Sequence, residues 1–251
     1  MTPRILIIAG SDSGGGAGIQ ADIKAVSALG GHPMTAITAI TAQNTLGVQG
    51  VHPVPVGMVL AQMESCLSDI GADAVKIGMI GSADTAGAVA ERLEALQGVP
   101  VVFDPVMVAT SGSSLADADA IAAFERLMSR ATVTTPNLPE LAALGGEAAA
   151  RAKARALLIK GGHGTGDMLT DRLIEADGRE TAWSDPRIDT QHTHGTGCTL
   201  ASAIAVGLGY GMSLPESIAR ARRYVRAALL GAPGLGRGHG PVGFPVEAFP
   251  S

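Results

Sequence analysis

Short apolar runs alternate with amphipathic stretches along most of this 251-residue chain, and that alternation limits the folds open to it. "RILIIAG" (4–10) is apolar almost throughout, as a strand covered on both faces must be. In the next stretch, "AGIQADIKAVSALGG", Ile19, Ile23, Val26 and Leu29 recur at three or four residues, one face of a helix, and Gly30 is a natural stop. The pattern continues with "PMTAITAIT" as a strand, "MVLAQMESCLSDI" as a helix and "DAVKIGMI" as a strand. "ADTAGAVAERLEAL" is helical, "VPVVFDPV" a strand, "DADAIAAFERLMSRA" a helix, and "TVTTP" and "ALLIKGGH" are strands. "MLTDRLIEADGRETAWS" then alternates around Asp177-Gly178, a hairpin signal. "GCTLASAIAVGLGYG" and "LPESIARARRYVRAALL" are closing helices, and the Gly/Pro-rich "GRGHGPVGFPVEAFPS" is irregular. This order predicts an α/β fold: a mainly parallel sheet, helices on both faces, and a late hairpin extending one edge. With no internal repeat and no long linker, residues 1–251 read as a single domain.

Composition narrows the partners. Hydrophobic residues make up 46% and aromatics 3%, so the core is built from Ala, Val, Leu and Ile, and stacking platforms for single-stranded nucleic acid are lacking. The net charge is −5 and no Lys/Arg run occurs, which argues against any nucleic-acid groove. Two cysteines, Cys66 and Cys198, cannot make a disulfide framework, and the chain reads as cytoplasmic. The N-terminal apolar run is too short for a signal peptide, and no run approaches the ~20 residues of a membrane span.

In open α/β sheets ligands bind beyond the carboxyl ends of the strands. Seven polar, glycine-rich segments fall there: "GSDSGGGAG", "AQNTLG", "GMIGS", "DPVMVATSG", "TPNLPE", "KGGHGTGD" and "HGTGC". Together they predict one large polar site. In "HGTGC" a helix beginning near Gly197 offers unpaired N–H groups and a positive dipole end to an anion. The other reading is a flexible loop before a buried helix, with Cys198 as a small core residue. "GTGD" at 164–167 has the same pattern but leads into a hairpin strand without a helix dipole, so Asp167 is read as a loop residue. "SDSGGGAGIQAD" fits neither the P-loop nor the dinucleotide fingerprint. Asp22 lies off the apolar face of the first helix, where a solvated carboxylate is the ordinary expectation. Asp104, Asn137 and Glu140 supply oxygen ligands suited to Mg²⁺, although Asn-x-x-Glu equally fits helix capping. Lys160, beside two glycines, suits nucleotide phosphates. His163, His192 and His194 lack zinc-ligand spacing, and the last two read as loop residues.

In combination, "AGSDSGGGAGIQADIKA", "TAITAQNTLGVQ", "VKIGMI", "DPVMVATSG", "TTPNLPE", "LIKGGH", "RIDTQHTHGTGCTLASAIA" and "GHGP" are more specific than any one alone. In this order, over nearly the whole chain, they closely resemble the bacterial hydroxymethylpyrimidine/phosphomethylpyrimidine kinases of thiamine biosynthesis, in the ribokinase-like superfamily. The resemblance implies a three-layer α/β/α fold. It implies transfer of the ATP γ-phosphoryl group to 4-amino-5-hydroxymethyl-2-methylpyrimidine and then to its monophosphate, with ATP and Mg²⁺ as cofactors and a homodimer as the assembly. By the same match, Gly195, Thr196, Gly197 and Cys198 form the anion hole, with cysteine where most ribokinase-like enzymes carry aspartate. Gln43 and Asp22 lie in the pyrimidine pocket with Met79 and Val106 as apolar walls, and Gly10 is a further substrate-binding residue. Lys160, Asn137 and Asp104 serve ATP and phosphate, and Glu140 and Asp104 serve the metal, directly or through water.

Two departures stand out. Ser13-Gly14 replaces the family's Pro-Ser, which implies a looser loop, and the connection at 145–156 is short. A thiol at a helix N-terminus is expected to have a lowered pKa, which makes Cys198 the expected proton acceptor. Competing readings are a pyridoxal kinase of the same superfamily and a non-catalytic pyrimidine- or nucleotide-binding sensor.

Overall fold

The structure, a computed structural model, describes residues 1–107, 115, 118–164 and 166–245, without the side chains of residues 118 and 163. The "VATSG" part of the fourth polar segment, the start of "DADAIAAF" and Thr165 of "GTGD" lie outside the described residues. The chain begins with β1 (Arg4–Asp12), α1 (Gly18–Ala28), β2 (His32–Asn44), β3 (Gly47–Pro53) and α2 (Val56–Asp69). It continues through β4 (Ala74–Ile77), α3 (Ala83–Glu94), β5 (Val101–Phe103), α4 (Ala118–Arg130) and β6 (Val133–Thr134). Then come α5 (Leu138–Ala143), α6 (Gly146–Lys153), β7 (Leu157–Ile159), the hairpin β8 (Met168–Ile174) and β9 (Glu180–Pro186), α7 (Thr196–Gly209) and α8 (Leu214–Leu230).

All these strands form one sheet, in the order β3-β2-β1-β4-β5-β6-β7-β8-β9. The stretch from β2 to β7 is parallel. Both edges are antiparallel, β3 on one side and β8–β9 on the other. The β8–β9 edge matches the hairpin expected around Asp177-Gly178. The β3 edge was not expected: "AQNTLG" reads as a loop, yet β2 runs on to Asn44 and turns back at once into "GVQGVHP". Polar Gln43 and Asn44 and exposed β3 hide the period-2 signal, because neither face of that edge is fully covered.

β1 shows why the sheet is covered on both faces. Ile5, Ile7 and Ala9 point into the core shared with α1, α7 and α8, while Leu6 and Ile8 point into the core shared with α2, α3 and α4. These five side chains are wholly buried, and each Ile or Leu contributes about 1.5–3 kcal/mol by leaving water. On the second face Phe103 meets Phe124 edge to face, with ring centroids 5.2 Å apart. The chain leaves β1 for β2 on one side and returns to β4 on the other. The carboxyl ends of β1 and β4 therefore flank a switch point, where such sheets open a ligand crevice.

Candidate active site

A cavity of about 920 Å³ lies at this end of the sheet, and all seven glycine-rich segments contribute residues to it. Gly10, Gln43, Met79 and Val106 line it, as do Asp104, Asn137, Glu140 and Lys160. Residues 195–198 line it as well.

α7 begins at Thr196, and Gly195 before it has φ +85°, a left-handed conformation that favours glycine. A Cβ on Gly195 would also collide with the carbonyl oxygen of Gly16, so the two glycine loops are packed backbone to backbone. At Gly197 a Cβ would stand 3.4 Å from both Asp104 Oδ2 and Lys160 Nζ. The Thr196 amide is taken by the Thr193 carbonyl, and the first turn of α7 at Gly197 lies against a carboxylate and an ammonium, the setting an anion hole beside charged groups requires.

Lys160 directly follows β7 and donates to Asp104 Oδ1 at 2.6 Å, with Glu140 Oε2 at 3.7 Å. Burial opposes its charge, but Asp104 and Glu140 outweigh burial and hold Lys160 above its ordinary value. Burial raises the Glu140 carboxyl; Lys160 pulls against the rise and Asp104 adds to it. Asn137 and Glu140 form a full capping box: Asn137 Oδ1 accepts from the Glu140 amide, and Glu140 Oε2 accepts from the Asn137 amide. The capping reading and the ligand reading of this spacing are therefore compatible, since the cap itself points Glu140 at Lys160. It also starts a helix, α5, where the sequence shows only a loop. Asp104 and Glu140 fit a Mg²⁺ site completed by water or phosphate oxygens. Among the described residues no group of three His, Cys, Asp or Glu could hold a metal without such help.

The loop after β1 is more tightly held than Ser13-Gly14 suggests. Asp12 is buried and accepts from the amides of Gly14, Gly16 and Ala17. Its Oδ2 lies 2.9 Å from His194 Nε2. Burial works to raise the Asp12 carboxyl, but His194 and the Ala17 and Gly14 amides together hold it below the usual carboxylate range. Ser13 Oγ donates to the Gln43 carbonyl and accepts from the Gln43 amide, both at 2.9 Å. The expected looseness is thus corrected: the serine supplies a clamp onto β2. Gln43 itself belongs to β2 and does not follow it. Its side-chain amide reaches His194 Nε2 at 3.3 Å and Thr41 Oγ1 at 3.2 Å. Asp12 and His194 were missed as site residues. The "SD" directly before a glycine run, with a histidine directly before "GTGC", was the available signal.

Two expectations are corrected. Asp22 is neither solvated nor in the cavity wall; it is fully buried behind it, paired with Lys76 and Ser202. Asp22 follows Ile19 by three positions on α1, which turns it into the seam against α7. The second correction concerns Cys198. Burial raises its thiol to about 11; Lys76 pulls downward, Asp22 and Asp104 reinforce the rise, and a hydrogen bond from the Gly18 amide opposes it. Desolvation and two carboxylates outweigh the helix terminus.

The second glycine-threonine-glycine segment is tied down differently. Arg187 donates to the carbonyls of Gly162, Gly164 and Gly166, and Arg222 of α8 pairs with Asp171 and Asp185 beneath it. Asp167 is exposed outside the cavity.

A family model described as phosphomethylpyrimidine kinase matches residues 12–243. The hydroxymethylpyrimidine/phosphomethylpyrimidine kinase of Streptomyces coelicolor is 48% identical, over 96% of this chain and 93% of that protein. The thiamine biosynthesis multifunctional protein ThiED of Corynebacterium efficiens is 45% identical over 96% of this chain, which spans only 35% of that longer protein. Among solved structures, an ADP complex of Bacillus subtilis pyridoxal kinase superposes with a TM-score of 0.89 at 31% identity, covering 98% of both chains. The match runs through every segment that builds the cavity, from Asp12 to Gly243, so the chain belongs to the phosphomethylpyrimidine kinase family, with a ribokinase-like fold.

Proposed function

We propose that the chain transfers the γ-phosphoryl group of ATP to the hydroxymethyl oxygen of 4-amino-5-hydroxymethyl-2-methylpyrimidine, and then phosphorylates that monophosphate. One observation carries the reading: the amino end of α7, the Lys160–Asp104–Glu140 cluster and the residues Gln43, Met79, Val106 and Gly10 line one cavity. Phosphoryl transfer is chiefly positioning and charge neutralisation. Lys160 binds the transferring phosphate oxygens, and the amides of Gly195, Gly197 and Cys198 face the charge that develops on them. Asp104 and Glu140 would hold Mg²⁺, which when bound neutralises phosphate charge. Asn137 fixes Glu140 through the capping box. Cys198 takes the proton of the attacking alcohol; its high pKa in the free protein makes it a strong base present as thiolate in a small fraction at neutral pH. The alcohol enters against Met79 and Val106, and Gln43 pairs its amide with the aminopyrimidine edge, an N–H donor beside a ring-nitrogen acceptor. Asp22 acts from behind the wall.

The resemblance of the fold to a pyridoxal kinase keeps phosphorylation of pyridoxal as the second reading. A kinase assay across hydroxymethylpyrimidine, its monophosphate and pyridoxal separates the two. The proposal expects turnover of both pyrimidines and weaker turnover of pyridoxal; pyridoxal as the sole substrate overturns it. We further propose a homodimer in the cytoplasm, on the family resemblance, with sedimentation as the test of assembly. No helix among the described residues is long and apolar enough to cross a membrane.

A further inference from the structure

Lys76 and Asp22 form an ion pair inside the core, Nζ to Oδ2 2.8 Å, with both side chains at 0% exposure. Lys76 stands in "AVKI" of β4, whose other residues are buried and apolar. A buried pair is rarely more stabilising than two apolar side chains filling the same volume, so stability alone does not account for it. Its location is more informative. Lys76 shares with Ala74 and Gly78 the strand face covered by α1 and α7. Gly78 makes room for the ammonium: a Cβ there would lie 2.6 Å from Nζ. The side chain therefore runs toward the carboxyl end of β4, where Met79 enters the cavity wall.

The partners of the pair lead to the thiol along two helices. Asp22 Oδ1 accepts from Ser202 Oγ at 2.8 Å, and Ser202 is four residues beyond Cys198 on α7. The Gly18 amide bonds Cys198, and Gly18 is four residues before Asp22 on α1. On both helices the ion pair thus lies one turn beneath Cys198. Both Asp22 oxygens are engaged inside the core, and the residue does not line the cavity.

We propose that Lys76 is a positioning residue for the reaction: its ammonium, held by Asp22 in the α1–α7 seam, is the fixed cation that sets how readily Cys198 gives up its proton. The charges acting on the thiol are Lys76 from β4, Asp22 from α1, Asp104 from the end of β5 and Lys160 from the end of β7. Of the groups favouring the thiolate, Lys76 acts most strongly, and Asp22 and Asp104 oppose it. Burial favours a neutral amine, but Asp22, Cys198 and Asp104 outweigh burial and hold Lys76 above its ordinary value. Burial also raises Asp22, yet an ammonium on one oxygen and a hydroxyl on the other are the partners of a carboxylate, so the pair is ionic.

The consequence for turnover rests on Cys198 as proton acceptor; the charge relation itself does not. The test is the pH dependence of Cys198 alkylation by iodoacetamide in a Cys66→Ala background, which leaves one thiol. Lys76→Met is expected to move the titration upward, with roughly a tenfold loss of thiolate at neutral pH. Asp22→Asn removes the opposing carboxylate and is expected to move it downward. The Lys76→Met/Asp22→Asn double variant, which buries no unpaired charge, keeps the question open to measurement if Lys76→Met does not fold, and also moves upward. Neutral-pH kcat falls about tenfold in the upward-shifted variants, with KM for the pyrimidine unchanged. Titrations that superimpose on the parent, or shift in the same direction for the lysine and the aspartate variants, overturn the proposal. Shifted titrations without a change in kcat would uphold the charge relation and remove Cys198 from proton transfer.

Discussion

Gly195-Thr196-Gly197-Cys198 and Gly164-Thr165-Gly166-Asp167 differ by one residue type in four, yet they sit in opposite settings. The first opens the fourteen-residue helix α7, whose first turn lines the cavity with Gly197 against Asp104 and Lys160. The second leads into β8, and Arg187 already donates to the carbonyls of Gly164 and Gly166. One loop starts a helix at the cavity, where we propose that it meets an anion; the other has its carbonyl acceptors taken up by an arginine. Aspartate, the usual residue in ribokinase-like anion loops, is on the wrong one. The element after the tetrapeptide decides its chemistry, because only a helix start leaves several parallel amides unpaired.

The largest effect expected from this contrast is at Cys198. Cys198→Ala should fold, bind ATP and lose roughly 10²–10⁴-fold in kcat, the scale of a removed general base; near wild-type turnover would end its assignment as base. Next is Gly197→Val, whose branched side chain would crowd Asp104 and Lys160. It should lower kcat by about 10²–10³-fold while pyrimidine binding changes little. A change confined to pyrimidine Kd would make the loop a lid. Gln43→Ala should weaken pyrimidine binding by about ten- to a hundredfold, as an unpaired polar edge costs roughly 1–3 kcal/mol. Pyridoxal binding should change much less, and equal losses for both ligands would remove Gln43 as the discriminating residue. Smallest is Asp167→Ala, for which kcat should stay within about twofold, since the side chain is exposed outside the cavity. An inactive Asp167→Ala protein would reverse the comparison.

The parallel sheet was legible because buried strands such as "RILIIAG" and amphipathic helices such as that of Ile19, Ile23 and Val26 have clean periods. The β3 edge was not, since an exposed strand carries no hydrophobic alternation. Helix α5 hid behind a proline pair and a six-residue length, although its capping box was visible as Asn137 and Glu140. Within the site, the residues at strand ends were legible because polar groups and glycines cluster there. Residues whose role depends on pairing across the fold were not. Asp12 and His194 are 182 positions apart, and Lys76 and Asp22 are 54 apart. No local spacing announces such pairs, and a lone lysine in a strand gives no partner. The Cys198 pKa failed for the same reason: the helix terminus is local and readable, whereas burial and the nearby carboxylates come from other elements.

The most direct test of the account is kcat/KM for hydroxymethylpyrimidine as a function of pH, in the wild-type chain and in Cys198→Ala. A general base acts deprotonated, and kcat/KM reports the free enzyme, whose thiol is raised to about 11. The wild-type value should therefore climb by about tenfold per pH unit on the alkaline side and level off near the thiol pKa, and the variant should lack that climb. The same alkaline limb in both proteins would contradict proton transfer to Cys198.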